Sequence, residues 1–496
     1  MTDRNAPLAL PPDEFRRLGH ELIELVAKHI ETLPDRPITA GDAPSRIREL
    51  LGQDALAGAG EDPARVLENV ASLLFDHSLF NAHPKFWGYI TGSPAPLGML
   101  GDLLASAIDP NVGAFVLSPV ATELEKQTVR WIAELIGYSS FCGGIMVSGG
   151  NMANMVAFLA ARRAMATWDV RQQGLRAGTQ LTVYASRETH TWIQKAADLF
   201  GLGLDSIRWI ETDEQLRMKT DALERAIVAD KESGRYTPFI VIGTAGSVST
   251  GAIDPLAEIA AICKRHSLWF HVDGAYGAPA ACLPEASPDL KALSLADSVA
   301  VDPHKWLYAP LEAGCTLVRD SKHLADAFSF HPAYYHFADG GDGETPTNFH
   351  EFGLQNSRGF RALKVWLGLK QAGRDGYVKM IRDDIALAES MYRAVEAHPE
   401  LETFTLALSI ATFRYVPSDL TLTGTEREQY LNELNSALVT RLQADGDLFV
   451  SNAVINGSYV LRACIVNFRT ELADVEAVPE MVVRAGRALT AEFASR

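Results

Sequence analysis

The sequence predicts an α/β fold: a mostly parallel sheet with helices on both faces, an N-terminal helical arm and a small C-terminal α+β domain. Three observations predict it. Between about residues 100 and 375, strand-like runs alternate with helical ones, the order in which crossover helices build a parallel sheet. The loops between them are short, so each helix folds back onto the sheet. Past residue 376 the alternation stops, and a long helical stretch leads into short strands.

In chain order, residues 15–33 set Phe15, Leu18, Leu22, Leu25, Val26 and Ile30 at helical spacing and stop before Pro34. The stretch 35–62 is rich in Pro, Gly and Ala and reads as a linker with short helical pieces. A second helix over 64–79 ends at the breaker Asn81-Ala82-His83-Pro84. A layer this small needs a partner for its apolar face, either the main domain or another subunit. Strands are expected at 181–184, 239–243, 268–272, 298–301 and 315–318, with helices at 154–165, 191–200, 220–230 and 255–266. The last part is expected to hold a helix at 376–397, strands at 410–416 and 459–464, and two more helices. The chain thus divides into an arm (1–100), a large domain (101–375) and a small domain (376–496). In such a sheet, reactive groups gather at the carboxyl ends of the strands.

Bulk properties narrow the function. The chain has 496 residues and a formal net charge of -17, which argues against nucleic acid or an anionic membrane as a main partner. Five scattered cysteines (Cys142, Cys263, Cys282, Cys315, Cys464) include no C-x-x-C pair and none at metal-ligand spacing. That pattern fits a reducing compartment rather than a disulfide framework. The N-terminus runs into Pro11-Pro12-Asp13 with no apolar h-region, and no run of about 18 apolar residues follows. The expected location is the cytoplasm.

Four stretches carry the chemistry. Asp302-Pro303-His304-Lys305-Trp306 follows the apolar run 295–301. A lysine there is either a packed stem with its head in water or an amine that burial frees as a nucleophile for carbonyl groups. Val147-Ser148-Gly149-Gly150-Asn151 ends one apolar run and opens a helix. Backbone N–H groups and the helix dipole at such a turn hold anions, typically phosphate, although an ordinary tight turn has the same pattern. His271-Val272-Asp273-Gly274-Ala275-Tyr276 ends a strand with a carboxylate, either a helix N-cap or the partner of a protonated ring nitrogen. The small residues after it let a flat ring lie close to the backbone. Glu188-Thr189-His190-Thr191-Trp192 sets a histidine past strand 181–184, where it can stack on a ring or serve only structure. Together they are the inventory that pyridoxal 5'-phosphate (PLP) needs: phosphate turn, stacking histidine, ring-nitrogen aspartate and Schiff-base lysine.

With these motifs the chain resembles the group II PLP-dependent decarboxylases, the family of aromatic-L-amino-acid, histidine and glutamate decarboxylases. The resemblance spans about residues 83 to 373. It is carried by His83-Pro84-Lys85-Phe86-Trp87-Gly88-Tyr89, Ser118-Pro119 with Thr122-Glu123-Leu124-Glu125, the four stretches above, residues 246–254, and Ser357-Arg358-Gly359-Phe360-Arg361. It implies fold type I, PLP, an amino-acid substrate and a homodimer with its active site at the interface. Lys305 would hold the cofactor, Asp273 would bond its ring nitrogen, and His190 would stack on the ring with Ala275 behind it. Gly150, Asn151 and His304 would hold the phosphate, joined by Asn356 or Ser357 from a second subunit. Tyr334, in His331-Pro332-Ala333-Tyr334-Tyr335, matches the proton-donating tyrosine of a mobile loop, and Gly340-Gly341-Asp342-Gly343 suits a lid. Lys305, Tyr334 and His190 are thus the expected catalytic residues.

Three positions depart from the family pattern. Asp302 stands where many members carry asparagine near the phosphate, so its carboxylate must turn away or pair with a cation or hydroxyl. Val248 replaces a frequent threonine. Asn111 and Gly113 stand where aromatic enzymes carry bulky side chains around the substrate ring, while Tyr89 still matches an aromatic pocket residue and Phe115 can compensate. The expected reaction turns an aromatic L-amino acid into its amine and CO2. The alternatives are an acidic or polar substrate, or an oxidative deamination giving an aldehyde. Arg358 and Arg361 are candidates for a distal carboxylate but match structural members of the family motif. From another class, a metal hydrolase would use His271, Asp273 and His304, since residues two apart on a strand share a face. That reading leaves Lys305 and the phosphate turn unexplained.

Overall fold

The computed structural model describes residues 6–330 and 346–494. Its central sheet has seven strands: β1 (Gly143–Val147), β2 (Gln180–Ser186), β3 (Ile207–Ile210), β4 (Tyr236–Thr244), β5 (Trp269–Asp273), β6 (Ser298–Val301) and β7 (Gly314–Val318). Their order is β1-β7-β6-β5-β4-β2-β3. Strands β2 to β6 pair in parallel, and β7 runs antiparallel to both β6 and β1. The five expected strands are all present. Their centres are buried on both faces, which is why they read as unbroken apolar runs.

Strands β1 and β3 were not expected. β1 begins with two glycines, and packing requires both. A Cβ on Gly143 would sit 2.5 Å from Ser321 Cβ, and one on Gly144 would sit 2.6 Å from the Thr316 carbonyl oxygen. β3 is a four-residue edge strand, too short to register as a pattern.

Helices cover both faces. Helix Gly150–Met165 lies beneath helices Trp192–Leu199 and Lys322–Phe328 and buries nearly every position from Ala153 to Ala161. A helix enclosed on all sides shows no amphipathic stripe. On the opposite face, Val129, Ile132, Leu223, Ile227, Ile259 and Ile262 join one core with β4 to β7. The long helix Ala362–Glu396 is broken at Gly373, whose φ of 62° lies in the left-handed region that favours glycine. Its second half is the helix expected at 376–397.

A second, antiparallel sheet follows, made of β8 (Leu401–Ala407), β9 (Ile410–Tyr415), β10 (Ser451–Ile455) and β11 (Ser458–Cys464) in the order β10-β11-β9-β8. Helices Gly424–Asp445 and Val478–Ala494 close its core. The N-terminal helices Pro12–Thr32 and Pro63–His77 pack on each other, and backbone bonds such as Ile38 N–H to Gly446 O at 2.9 Å tie their linker to this second layer. Much of the arm's apolar surface stays open, including Phe15, Ile23, Val70 and Leu74. So does a row on helix Pro96–Ile108, with Leu100, Leu103, Leu104 and Ile108.

Candidate active site

The sheet's carboxyl ends converge on a cavity of about 510 Å3. Ser148, Gly149, Gly150 and Asn151 reach it from the turn after β1, Glu188 and His190 from beyond β2, and Thr244 and Val248 from β4 and its loop. Asp273 and Ala275 come from β5, and Asp302, His304 and Lys305 from the turn after β6. A broader depression of about 940 Å3 lies beside helix Pro119–Leu135 and holds none of the expected site residues except Phe115.

Each candidate is fixed by local packing. Gly149 has φ 131°, and no side chain caps the first turn of helix Gly150–Met165, so N–H groups at that turn remain available to an anion. A Cβ on Gly150 would come within 2.6 Å of Asp302 Oδ2 and 3.2 Å of Ala275 Cβ. Asp273 is buried at the end of β5. Its Oδ2 accepts from Trp192 Nε1 at 2.8 Å, and its Oδ1 from the Ala275 N–H at 3.2 Å.

His190 Nδ1 accepts the Trp192 N–H at 3.3 Å, so the neutral ring carries its proton on Nε2. The surrounding protein lowers its pKa by desolvation, with Asp273 opposing. His304 faces Ala313 O through Nδ1 at 2.6 Å, and burial likewise lowers its pKa. Lys305 Nζ lies 3.1 Å from Asp302 Oδ2. The buried Asp302 therefore pairs with a cation.

Behind the lysine the support is dense. Trp306 stacks on Tyr276 with ring centroids 4.8 Å apart. Trp306 Nε1 and Tyr308 Oη both donate to Asp384 Oδ2, at 2.8 and 2.7 Å. Asp384→Ala would leave two buried donors unpaired next to Lys305. It is expected to lower unfolding stability by roughly 2–4 kcal/mol, measurable by urea denaturation. The segment preceding helix Pro96–Ile108 crosses the Lys305 backbone so closely that a Cβ on Gly92 would meet Lys305 O at 2.3 Å.

His271 is not part of the cavity. Ser298 Oγ meets its Nδ1 at 2.8 Å, and Asn154 Oδ1 meets its Nε2 at 2.7 Å. Because Asn154 Nδ2 donates to Gly150 O, its Oδ1 faces His271 and can only accept, so the ring donates through Nε2 and its Nδ1 accepts the Ser298 hydroxyl hydrogen. This chain ties the strand that holds Asp273 to the helix that opens at Gly150. Both nitrogens are taken, and among the described residues no three His, Cys, Asp or Glu side chains are grouped to hold a metal ion. The metal-hydrolase arrangement is therefore not assembled.

Burial pushes the His271 pKa down to about 4 from an ordinary 6.5. A depressed folded-state value gives stability that is present above pH 6.5 and lost as pH falls toward 4. The loss is expected to total roughly 3 kcal/mol. Denaturation midpoints from pH 7 to 4 should therefore fall more steeply in the native chain than in a His271→Gln variant.

Other expected residues lie elsewhere. Asn356 and Ser357 are exposed and do not line the cavity, and neither does Tyr89. Asn111 and Gly113 do not form a wall of it either. Asn111 Oδ1 accepts the N–H groups of Gly113 and Arg358, at 3.1 and 3.0 Å, as a backbone latch. A Cβ on Gly113 would lie 2.2 Å from Asn356 O, so close packing accounts for the glycine within this chain. Tyr334 and Gly340 to Gly343 lie outside the described residues.

Four residues at or near the site gave no signal in the sequence. Trp192 holds Asp273. Thr244 lines the cavity with a buried Oγ1 that has no hydrogen-bond partner among the described residues. Asp384 sits beneath the lysine turn. Arg462 is buried and donates through Nη1 to Tyr89 O at 2.8 Å, while its Nε and Nη2 have no partner among the described residues. Of these, only Trp192 stood inside a stretch already singled out.

The cavity suits PLP: free N–H groups for a phosphate, a buried carboxylate for a ring nitrogen, Ala275 leaving room for a flat ring, and an amine for the aldehyde. Residues 44–415 match the family model described as the pyridoxal-dependent decarboxylase conserved domain. This chain belongs to that family. It is therefore a PLP-dependent decarboxylase, a carboxy-lyase of fold type I. It is 34% identical to an aromatic-L-amino-acid decarboxylase of Bacillus atrophaeus, over 93% of each chain. It is 28% identical to a phenylacetaldehyde synthase of Petunia hybrida, over 92% of this chain and 91% of the relative. Among solved structures it resembles mouse CSAD (TM-score 0.90, 26% identity, covering 96% of this chain and 99% of that one). It also resembles Oryza sativa TDC with PLP and tryptamine (TM-score 0.89, 25% identity, covering 98% and 100%).

Within this decarboxylase the two candidate arginines are engaged in structure. Buried Arg358 donates to Val112 O and Met146 O, each at 2.7 Å, and pairs with Glu125 at 2.5 Å. Arg361 pairs with Glu312 at 2.9 Å. Arg358→Ala would strand a buried carboxylate and is expected to cost roughly 3–5 kcal/mol of stability, read as a drop in Tm.

Proposed function

We propose that this decarboxylase converts an aromatic L-amino acid to its amine and CO2 in the strand-end cavity. The observation that carries the reading is the convergence of Lys305, Asp273 and the Gly150 turn on one cavity, supported by similarity to an aromatic-L-amino-acid decarboxylase. Bound PLP supplies the electron sink that accepts the pair left behind by CO2. Asp273 keeps the ring nitrogen protonated. The Gly150 turn and His304 would hold the phosphate, and the His190 ring, with its proton on Nε2, would stack on the cofactor ring with Ala275 behind it. Lys305 would hold the cofactor's aldehyde through its amine until the substrate amine takes its place, and would then serve in product release. Tyr334 returns a proton to the α-carbon. Which α-bond breaks is set by orientation, a positioning effect.

The chain works as a homodimer in this reading. The open leucine row on helix Pro96–Ile108 and the apolar arm supply the surface that a second copy covers. A second copy would also bring Asn356 or Ser357, both exposed, toward a cavity they do not line within one chain. The five free cysteines fit a cytoplasmic location, and no helix among the described residues is long and apolar enough to cross a membrane.

Likeness to a phenylacetaldehyde synthase supports a second product, the aldehyde formed with uptake of O2. One experiment separates these outcomes: CO2, amine, aldehyde and O2 measured for the PLP-loaded protein across the proteinogenic amino acids and dihydroxyphenylalanine. Amine and CO2 from Tyr, Trp, Phe or dihydroxyphenylalanine alone is the expected result. Turnover only of acidic or polar substrates would overturn the aromatic reading.

A further inference from the structure

Asp302 is out of place beside an anion site. Its side chain is 3% exposed, and its Oδ2 lies where a Cβ on Gly150 would meet it at 2.6 Å. The carboxylate therefore packs against the first residue of the helix whose N–H groups face the cavity. Its Oδ1 is buried and has no hydrogen-bond partner among the described residues. The charges near it are Lys305 Nζ at 3.1 Å and His304 Nε2 at 3.7 Å. Desolvation lowers the His304 pKa, which leaves the lysine as the main counter-ion.

That counter-ion is consumed by chemistry. When an amine condenses with an aldehyde, the ammonium first loses its proton to solvent. The C=N bond then forms as the C–O bond breaks, and water leaves. Once Lys305 has reacted, its nitrogen is an imine, a weaker base and a weaker counter-ion than the amine, while a phosphate would arrive on the adjoining turn. Like charges at this range in a poorly solvated site repel strongly.

We propose that Asp302 is an electrostatic brake on cofactor phosphate: it pairs with Lys305 while the site is free and opposes the phosphate once Lys305 is bonded. The proposal rests on the reading of this cavity as the PLP site. Its consequence is a decarboxylase whose cofactor exchanges, with loading that follows the supply of PLP. The brake on the phosphate adds to a cost that any aldehyde bonding Lys305 meets, the loss of the Asp302–Lys305 ion pair.

The test is equilibrium binding of two probes, PLP and phosphate-free pyridoxal, to cofactor-stripped protein, read by absorbance without reference to turnover. Asp302→Asn keeps shape and removes charge, and Asp302→Ser decides the matter if the first variant does not fold. The expected result is a PLP dissociation constant lowered at least about tenfold more than that of pyridoxal. Unchanged or weaker PLP binding, or equal tightening of both probes, would overturn the brake while leaving the PLP site intact. Failure of the unaltered protein to bind PLP would overturn both.

Discussion

Lys305→Ala is expected to abolish the visible absorbance of the PLP-loaded protein and to lower the decarboxylation rate by at least about 10^3-fold. The amine stands at the end of β6 with its backbone pinned on three sides. Its N–H donates to Asp302 O at 2.9 Å, its carbonyl accepts the Tyr308 N–H at 3.1 Å, and the next residue, Trp306, is locked by Tyr276 and Asp384. Alanine leaves those backbone bonds in place, so the fold should survive. Alanine strands the buried Asp302 carboxylate and should lower Tm, so the loss of rate at unchanged Tm that separates chemistry from stability is expected of an arginine instead. Lys305→Arg keeps a cation beside Asp302 but offers no nucleophilic amine, so it should be equally inactive. Retention of turnover in both variants would remove Lys305 from the mechanism.

Asp273→Asn is the second large effect, a fall in kcat of roughly 10^2- to 10^4-fold with a smaller change in KM. The carboxylate accepts from Trp192 Nε1 and from the Ala275 N–H. Asparagine can keep only one acceptor facing these donors, and it carries no charge to hold a ring nitrogen protonated. Part of the loss would come from that misfit. The pattern across variants apportions it: Trp192→Phe removes a donor but keeps the charge, and should cost far less. Equal losses in the two variants would make Asp273 a structural residue rather than the ring's counter-ion.

The sequence was most readable where physics is local or repeated. Strands β2, β4, β5, β6 and β7 could be read because burial on both faces makes each an apolar run. Lys305, Asp273, His190 and Gly150 could be read because each ends an element. β1 was hidden because Gly143 and Gly144 answer to the side chain of Ser321 and the carbonyl of Thr316, residues far along the chain. For the same reason Asn111 and Gly113 looked like a thinned substrate wall, whereas contacts with Arg358 and Asn356 explain them within the chain. Asp384 and Arg462 gave no signal at all, because a buried charge is recognised by its partners, and these partners are 76 to 78 and 373 positions away.

Chemical trapping tests most directly whether Lys305 is the lysine that bonds PLP. PLP-loaded protein would be reduced with borohydride, digested, and its peptides mapped by mass. One phosphopyridoxyl adduct is expected, on Lys305. An adduct on another lysine, or none, would contradict it.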